Sequence, residues 1–382
     1  MLDPHDFHEV VSERRRGFAP SLLRGMLRAA EVPYSLAMGW RNRRYDRGHA
    51  AVHRVGVPVI SVGNLTLGGT GKTPMVRWLA EWFGERGTRV AIVSRGYGRS
   101  REQGAGSREQ RLQRDSSGSL LPAGYPLGGS PLPAYNDEAL ELRQSLPDVP
   151  HVQHSDRVAA ARRAIDEFDC QLVLLDDGFQ HRRLARDLDI VLLDALEPFG
   201  HEHVFPRGTL REPLVGLRRA DIVCLSRADT IGAAERNAIR GRAALLAPQT
   251  AWCESTHEPS GLLDAAGNFR PLATLAGRRV AAFCGIGNPV GFRHTLAATG
   301  TELVAWREFA DHQAYRANDL EELSRMVGSS NADLVVCTHK DLVKLPREQI
   351  ADRPLWAVTI EMRFLCGQEA LEARLADTLR AL

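Results

Sequence analysis

Lysine is almost missing from this chain. Lys72, Lys340 and Lys344 stand against 46 arginines, and a codon preference for arginine is the plain cause. On a solvated surface the two residues are interchangeable, but a tight phosphate cradle tells a compact ammonium from a broad guanidinium fork. Each surviving lysine is therefore a question. Net charge is also lacking: 49 basic against 47 acidic residues leave +2, so no overall field draws the chain to nucleic acid, and no such partner is expected. Nowhere do about 18 apolar residues run together, so no transmembrane helix is expected. The start, MLDPHDFHEVV, has no apolar run ending in small residues and is not expected to be a secretory signal. There is no CxxC. Cys170, Cys224, Cys253, Cys284, Cys337 and Cys366 lie far apart, and four of them fall in apolar strand-like runs, the place for small buried thiols in a reducing compartment.

What is present reads as an ordinary folded protein, 43% hydrophobic and 25% charged. Its 382 residues predict two domains. Residues 1–50 stand apart. Phe18, Leu22, Leu23, Met26, Leu27 and Ala30 recur at helical spacing, with Arg24 and Arg28 on another face and further arginines at Arg14–Arg16 and Arg41–Arg44. This predicts an amphipathic basic helix, broken near Pro33. Such a helix either packs on its own domain or lies in a membrane interface beside anionic headgroups.

From residue 57 onward, β-rich runs alternate with helical stretches. Strands are expected within 57–64, 88–96, 170–178, 188–195 and 220–229, joined by right-handed crossovers into a core domain over 51–250. Residues 99–133 are polar, rich in Gly and Pro and without period, and read as a flexible insertion. Turn signals at Pro259-Ser260-Gly261 and Gly267-Asn268 predict a β-hairpin linker over 251–275. A second αβ series then fills 276–382, with strands expected within 278–289, 301–309, 332–341 and 354–364. The strand rhythm gives the class α/β; with the glycine loop and the resemblance described next, a P-loop NTPase-like α/β/α sandwich and a second, smaller α/β/α domain are expected.

The chemistry begins at Gly68-Gly69-Thr70-Gly71-Lys72-Thr73, after a strand and before a helix. A phosphate loop needs glycines so that backbone N–H groups can close on an anion, a lysine for the outer phosphates and a hydroxyl for Mg²⁺. All three are present, in a loop running from Thr66 and Leu67 to Thr73. The strict motif would place glycine at 66, where this chain has Thr66. A neighbouring apolar strand, Leu172 to Leu175, ends in Asp176-Asp177, the position at which an aspartate holds Mg²⁺. Thr338-His339-Lys340-Asp341 and Ser226-Arg227-Ala228-Asp229 only loosely match the guanine-reading N-K-x-D pattern, so guanine recognition is not inferred.

Ser61-Val62-Gly63-Asn64-Leu65-Thr66 leading into the glycine loop, Ser94-Arg95-Gly96-Tyr97-Gly98, Asp176-Asp177-Gly178-Phe179-Gln180-His181 and Leu210-Arg211-Glu212-Pro213 resemble the tetraacyldisaccharide 4′-kinase family, the lipid A 4′-kinases. The likeness continues through Gly285-Ile286-Gly287-Asn288-Pro289 and Phe309-Ala310-Asp311-His312 to Thr338-His339-Lys340-Asp341, in the same order over roughly 55–345. It implies two α/β/α domains, a small β linker and a membrane-associating N-terminal helix.

The resemblance further implies ATP and Mg²⁺, with an acylated glucosamine disaccharide 1-phosphate as acceptor. The site would lie at the cytoplasmic face of the bacterial inner membrane, held there peripherally against anionic lipid. Asn136-Asp137-Glu138-Ala139 matches the family's Gly-Asp-Glu-Pro segment with both flanks changed. By resemblance, Asp137 is the general base, His312 tunes it, and Arg95, Glu138, Arg157, Gln180, His181, Arg211 and Glu212 face the substrates. The residues alone leave Asp137 as a helix cap and His312 as one of thirteen histidines. Two rivals use the same loop: an NTP-driven switch, and a kinase for another membrane-associated acceptor.

Overall fold

Near-continuous apolar runs become parallel strands because both of their faces must be covered. The computed structural model describes residues 10–11, 17–96, 112–114, 120–122, 137–311, 313–345 and 347–380. Through residue 150 the described elements are α1 (Phe18–Asp46), β1 (Val59–Asn64), α2 (Lys72–Gly84), β2 (Val90–Ser94), β3 (Leu112–Arg114), β4 (Leu120–Pro122) and α3 (Asp137–Ser145). Then follow β5 (His151–Gln153), α4 (Arg157–Phe168), β6 (Leu172–Asp176), β7 (Leu188–Asp194), β8 (Ile222–Ser226) and α5 (Ala233–Leu246). The remainder comprises β9 (Ala251–Leu263), β10 (Phe269–Arg270), β11 (Arg279–Cys284), α6 (Pro289–Ala298), β12 (Glu302–Glu308) and α7 (Ala317–Ser329). It ends with β13 (Leu334–Thr338), α8 (His339–Leu342), β14 (Gln349–Ile350), β15 (Arg353–Cys366) and α9 (Gln368–Arg380).

Contacts divide the chain into two units. The first is Met1–Arg95, His151–Thr256 and Arg363–Leu382; the second is Gly96–Pro150 and His257–Met362. This is not the linear division that the sequence suggests. Residues 96–150 join the second unit, where α3 packs through buried Ala139 and Leu142 and its Gln144 bonds His339 of α8. Residues 363–382 join the first unit, where Phe364 packs edge-on against Trp78 of α2, ring centres 4.9 Å apart. The hairpin expected at 251–275 is present: β10 pairs antiparallel with the end of β9. Of the expected insertion at 99–133, only the antiparallel pair β3–β4 falls among the described residues.

The first unit holds parallel strands in the order β9-β8-β7-β1-β6-β2-β5. Every residue of β1 is buried. Val62 of β1 pairs with Asp176 of β6, so the strand that feeds the glycine loop ends beside the acidic strand end. Val59, Val93, Val173 and Leu175 pack against Ala160, Ala161 and Ala164 of α4. Helix α2 packs on β1, β2 and β6 through Met75, Leu79 and Phe83, all fully buried.

The second unit repeats the plan on a smaller scale, with β12-β11-β13-β15 in parallel order. Ala281, Phe283, Val335 and Cys337 pack with Leu323 and Val327 of α7, while the alternate residues Val280, Ala282 and Val336 pack with Phe292 and Leu296 of α6. Alternation along a strand sends neighbours to opposite faces, so helices cover both.

Helix α1 does not break at Pro33; it runs through it. Pro33 is exposed, so water can take the carbonyl that the missing N–H leaves unbonded. Polar residues tie one side of α1 to the first unit. Tyr34 Oη donates to the Arg211 carbonyl at 3.2 Å, Arg41 to the Gln180 carbonyl at 2.6 Å, and Asn42 Nδ2 to Glu212 at 2.7 Å. Glu31 pairs with Arg207 and Asp46 with Arg182. Phe18, Leu22 and Met26, and further on Leu36 and Trp40, each spaced by four residues along another side, remain exposed.

Candidate active site

The glycine loop folds as its residues require. Gly68 and Gly71 have φ of 106° and 82°, the left-handed region that side chains avoid. Gly71 caps α2, so Lys72 and Thr73 open that helix where its N–H groups point outward. Thr66 needs no glycine because its backbone forms a bridge with Leu210; Leu67 N–H donates to Thr209 and Arg211 N–H to Leu65, each at 2.7 Å. The LREP segment is thus stitched along the start of the loop. Gly63 has a different reason: a Cβ there would stand 2.5 Å from that of Phe179, so only glycine lets the DDGFQH segment lie against β1.

Asp177 is the hub of this unit. Arg211 Nη1 reaches both carboxylate oxygens, at 2.7 and 2.8 Å, and Lys72 Nζ stands 3.7 Å away. Burial by itself would raise the Asp177 pKa; Lys72, Arg211 and Arg157 outweigh it and hold the carboxyl below its ordinary range. Lys72 is 5% exposed and Asp176, at the end of β6, is 2% exposed. Thr73, Asp176 and Asp177 form an all-oxygen donor set at the loop, the chemistry that suits Mg²⁺.

The remaining sequence candidates divide. Arg157 is buried at the start of α4 and donates to the Ser155 carbonyl. His181 is pushed down to about 4 by burial and by Arg157, Arg41 and Arg186, so it is neutral at ordinary pH. Arg95 is exposed at the end of β2. Two of the expected substrate contacts, Glu212 and Gln180, already have protein partners. Glu212 is fully buried and already held by Arg219 at 2.7 Å, Asn42 and Gln180, and Gln180 bonds both Glu212 and the Asn64 carbonyl. These two side chains brace β1 and α1 from within because their polar atoms have protein partners. Arg227 is a residue that the sequence did not single out for this site. It pairs with Asp194 and reaches the Gly69 carbonyl at 3.5 Å.

The second unit contributes a different cluster. Asp137 opens α3, and its Oδ2 lies 3.2 Å from Lys344 Nζ. Lys340 Nζ lies 4.0 Å from Glu138. Sequence reasoning missed Lys344 as a site residue, although its signal was there: all three lysines of the chain stand beside acids of the expected site. His312 lies outside the described residues. Within this unit the Thr338-His339-Lys340-Asp341 segment holds α3, through His339 on Gln144 and Lys340 beside Glu138.

A family model described as tetraacyldisaccharide-1-P 4′-kinase matches residues 23–380. The tetraacyldisaccharide 4′-kinase of Anaeromyxobacter sp. strain K is 41% identical over 371 residues, 96% of this chain and 94% of that protein. Its counterpart from Geobacter sulfurreducens is 37% identical over 374 residues, 98% of each. The crystal structure of Aquifex aeolicus LpxK in complex with ATP matches at a TM-score of 0.70 and 28% identity, covering 93% of this chain and 99% of that one. Matched by the family model over residues 23–380 and 41% identical to such a relative over 96% of its length, the chain belongs to the tetraacyldisaccharide-1-P 4′-kinase family.

Proposed function

We propose that this chain transfers the γ-phosphoryl group of ATP to the 4′-hydroxyl of a tetraacylated glucosamine disaccharide 1-phosphate, a lipid A precursor, while resting on a membrane surface. The observation that carries this reading is the pairing of Lys72, Arg211 and Asp177 at the glycine loop. The N–H groups of Gly68–Thr73 cradle the phosphates, and Lys72 neutralises the group in flight. Thr73 with Asp176 or Asp177 would hold Mg²⁺, which when bound offsets phosphate charge. Phosphoryl transfer gains mostly from such placement and neutralisation.

A sugar hydroxyl is a poor nucleophile, so a base must take its proton as the oxygen bonds phosphorus and the bond to ADP breaks. Asp137 takes that proton and becomes a carboxylic acid. Arg95, Arg157, Glu138 and the neutral His181 serve the substrates. His312 tunes Asp137. An NTP-driven switch would use the loop but would have no use for a carboxylate gripped as Asp137 is.

The acceptor lies in a bilayer, and among the described residues no helix is long and apolar enough to cross one. Helix α1 supplies the contact instead. It docks on the first unit by its polar side and leaves Phe18 (86% exposed), Leu22 (57%) and Met26 (58%) bare, with Arg24 and Arg28 nearby to meet anionic lipid. The enzyme thus works peripherally, at the cytoplasmic face of the inner membrane. Incubating the full chain with ATP, Mg²⁺ and the acylated disaccharide 1-phosphate tests the reaction. Phosphate should appear on the lipid, at the 4′ oxygen; ATP turnover independent of the lipid would refute the reading.

A further inference from the structure

In the second unit, β13 ends at Thr338 and turns directly into α8, and this turn carries two of the three lysines. Asp341 is its anchor. It is completely buried and accepts from the Gly285 N–H at 3.1 Å, Tyr315 Oη at 2.8 Å and Thr338 Oγ1 at 2.6 Å. Burial and Asp341 itself push the Tyr315 hydroxyl far above its usual range, so it stays a donor. Lys344 stands 3.7 Å from Asp341, 5.7 Å above the centre of the Tyr315 ring, and only 9% exposed. Held on that side, its ammonium reaches Asp137 Oδ2 at 3.2 Å.

The grip extends along α3. Lys340 meets Glu138, His339 Nε2 meets Gln144 Oε1 at 2.9 Å, and His339 Nδ1 lies 3.9 Å from Glu141. The ionisable groups around this helix include Glu138, Glu141 and Arg143 on α3, and Tyr315, His339, Lys340, Asp341 and Lys344 opposite. A helix could be docked by apolar contact alone, and Ala139 and Leu142 already provide it. A buried ammonium aimed at the first carboxylate of the helix does something else. An opposite charge at contact favours the ionised carboxyl and fixes which oxygen is engaged.

We propose that Lys344 is a positioning residue for phosphoryl transfer: anchored by Asp341 and Tyr315, its ammonium pairs with Asp137 Oδ2 and so fixes the placement and the charge of that carboxylate as the base. This rests on the reading of Asp137 as the base. In an arginine-rich chain a lysine fits here because a compact ammonium bridges two carboxylates where a planar fork would push them apart.

Steady-state kinetics of the full chain across pH, with ATP, Mg²⁺ and the acylated disaccharide 1-phosphate, test it. Lys344→Met should lower kcat by about 30-fold or more, within the range for a misplaced base, and leave KM for ATP unchanged. The acid limb of its profile should move to higher pH, because the carboxyl loses the charge that favours ionisation. Lys344→Arg keeps the charge, so the acid limb should stay and part of the turnover return. In an Asp137→Asn background, Lys344→Met should cost nothing more, since residues acting through one another are not additive.

Full turnover in a folded Lys344→Met, a loss expressed as raised KM for ATP, or losses that multiply in the double variant would each overturn the proposal. If Lys344→Met shows no cooperative melting, Lys344→Arg decides, and an acid limb that moves although the charge is kept counts against it. The underlying reading fails separately: Asp137→Asn with undiminished turnover removes the base, whereas an inactive Asp137→Asn beside a fully active Lys344→Met removes only Lys344.

Discussion

Two lysine–aspartate pairs, one in each unit, use the same two groups to opposite ends. At the glycine loop, Lys72 lies 3.7 Å from Asp177 and Arg211 grips both of that carboxylate's oxygens. In the second unit, Lys344 lies 3.2 Å from Asp137, and Asp341 stands behind the lysine rather than an arginine behind the acid. On the proposed mechanism the aspartate of the first pair is the fixed partner and its lysine turns to an incoming phosphate, whereas in the second the lysine is fixed and the acid serves as base. What holds each partner, not the residue types, would then decide which member works.

The largest effect expected from this contrast is at the presented acid. Asp137→Asn keeps shape and helix-capping ability but removes the base, so turnover should fall about 10²-fold or more while ATP still binds. Single-turnover transfer and ATP titration check the two halves. If ATP affinity collapses instead, Asp137 belongs with the nucleotide and the two pairs do the same work.

Next comes Lys72→Arg, expected to lower turnover at least about 10-fold, or ~1.4 kcal/mol of barrier, because the fork cannot replace a compact ammonium in the loop. Near-wild-type rates there would erase the functional half of the first pair. Arg211→Lys sharpens the same side. It gives up the charge-assisted contact of Arg211 Nη1 with both oxygens of Asp177 or the bond from Arg211 Nε to the Thr66 carbonyl, which one ammonium cannot make together, and about a 3- to 10-fold rise in KM for ATP should follow from the loosened hydrogen bonds.

Acid stability separates the pairs without kinetics. The Asp177 carboxyl is held low, so its pairing contributes stability that is complete above the ordinary carboxylate range and lost as pH falls through the lowered value. His181, held neutral with its pKa moved from 6.5 to about 4, adds stability that is present above 6.5 and lost as pH falls from 6.5 towards 4. Melting curves of His181→Gln should therefore fall less steeply with acid over that window than those of the parent. Parallel slopes would show that His181 carries no such linkage.

The smallest effect is expected at the membrane. Each arginine near an anionic surface contributes on the order of 1 kcal/mol and is screened by salt, whereas the apolar stripe is not. Flotation with anionic vesicles should weaken with salt without vanishing, and Leu22→Asp with Met26→Asp should reduce it while melting stays unchanged. A drop in melting temperature would instead make the stripe part of the fold.

Much of the first unit was legible in the sequence because its signals are local. The loop glycines, the apolar run ending in Asp176-Asp177 and the strand rhythm each lie within a few residues, and backbone geometry reads them directly. The role of Glu212 was not legible. Its neighbours Arg219, Asn42 and Gln180 come from three segments, and only their convergence shows that the side chain is braced within the unit. Helix α1 was legible as amphipathic; that its polar side would do the docking, through Tyr34, Arg41 and Asn42, was not.

By itself, then, the sequence pointed to the loop expected to take phosphate and to the acidic strand end beside it, and it left three lysines standing as a question. Only tertiary structure decided that residues 96–150 leave the unit they begin beside, and that Lys344 meets Asp137. His339 and Gln144, in the same contact, are 195 positions apart. Burial of Ala139 and Leu142 brings those segments together, and no spacing rule along a chain reports a contact that apolar packing makes across that distance.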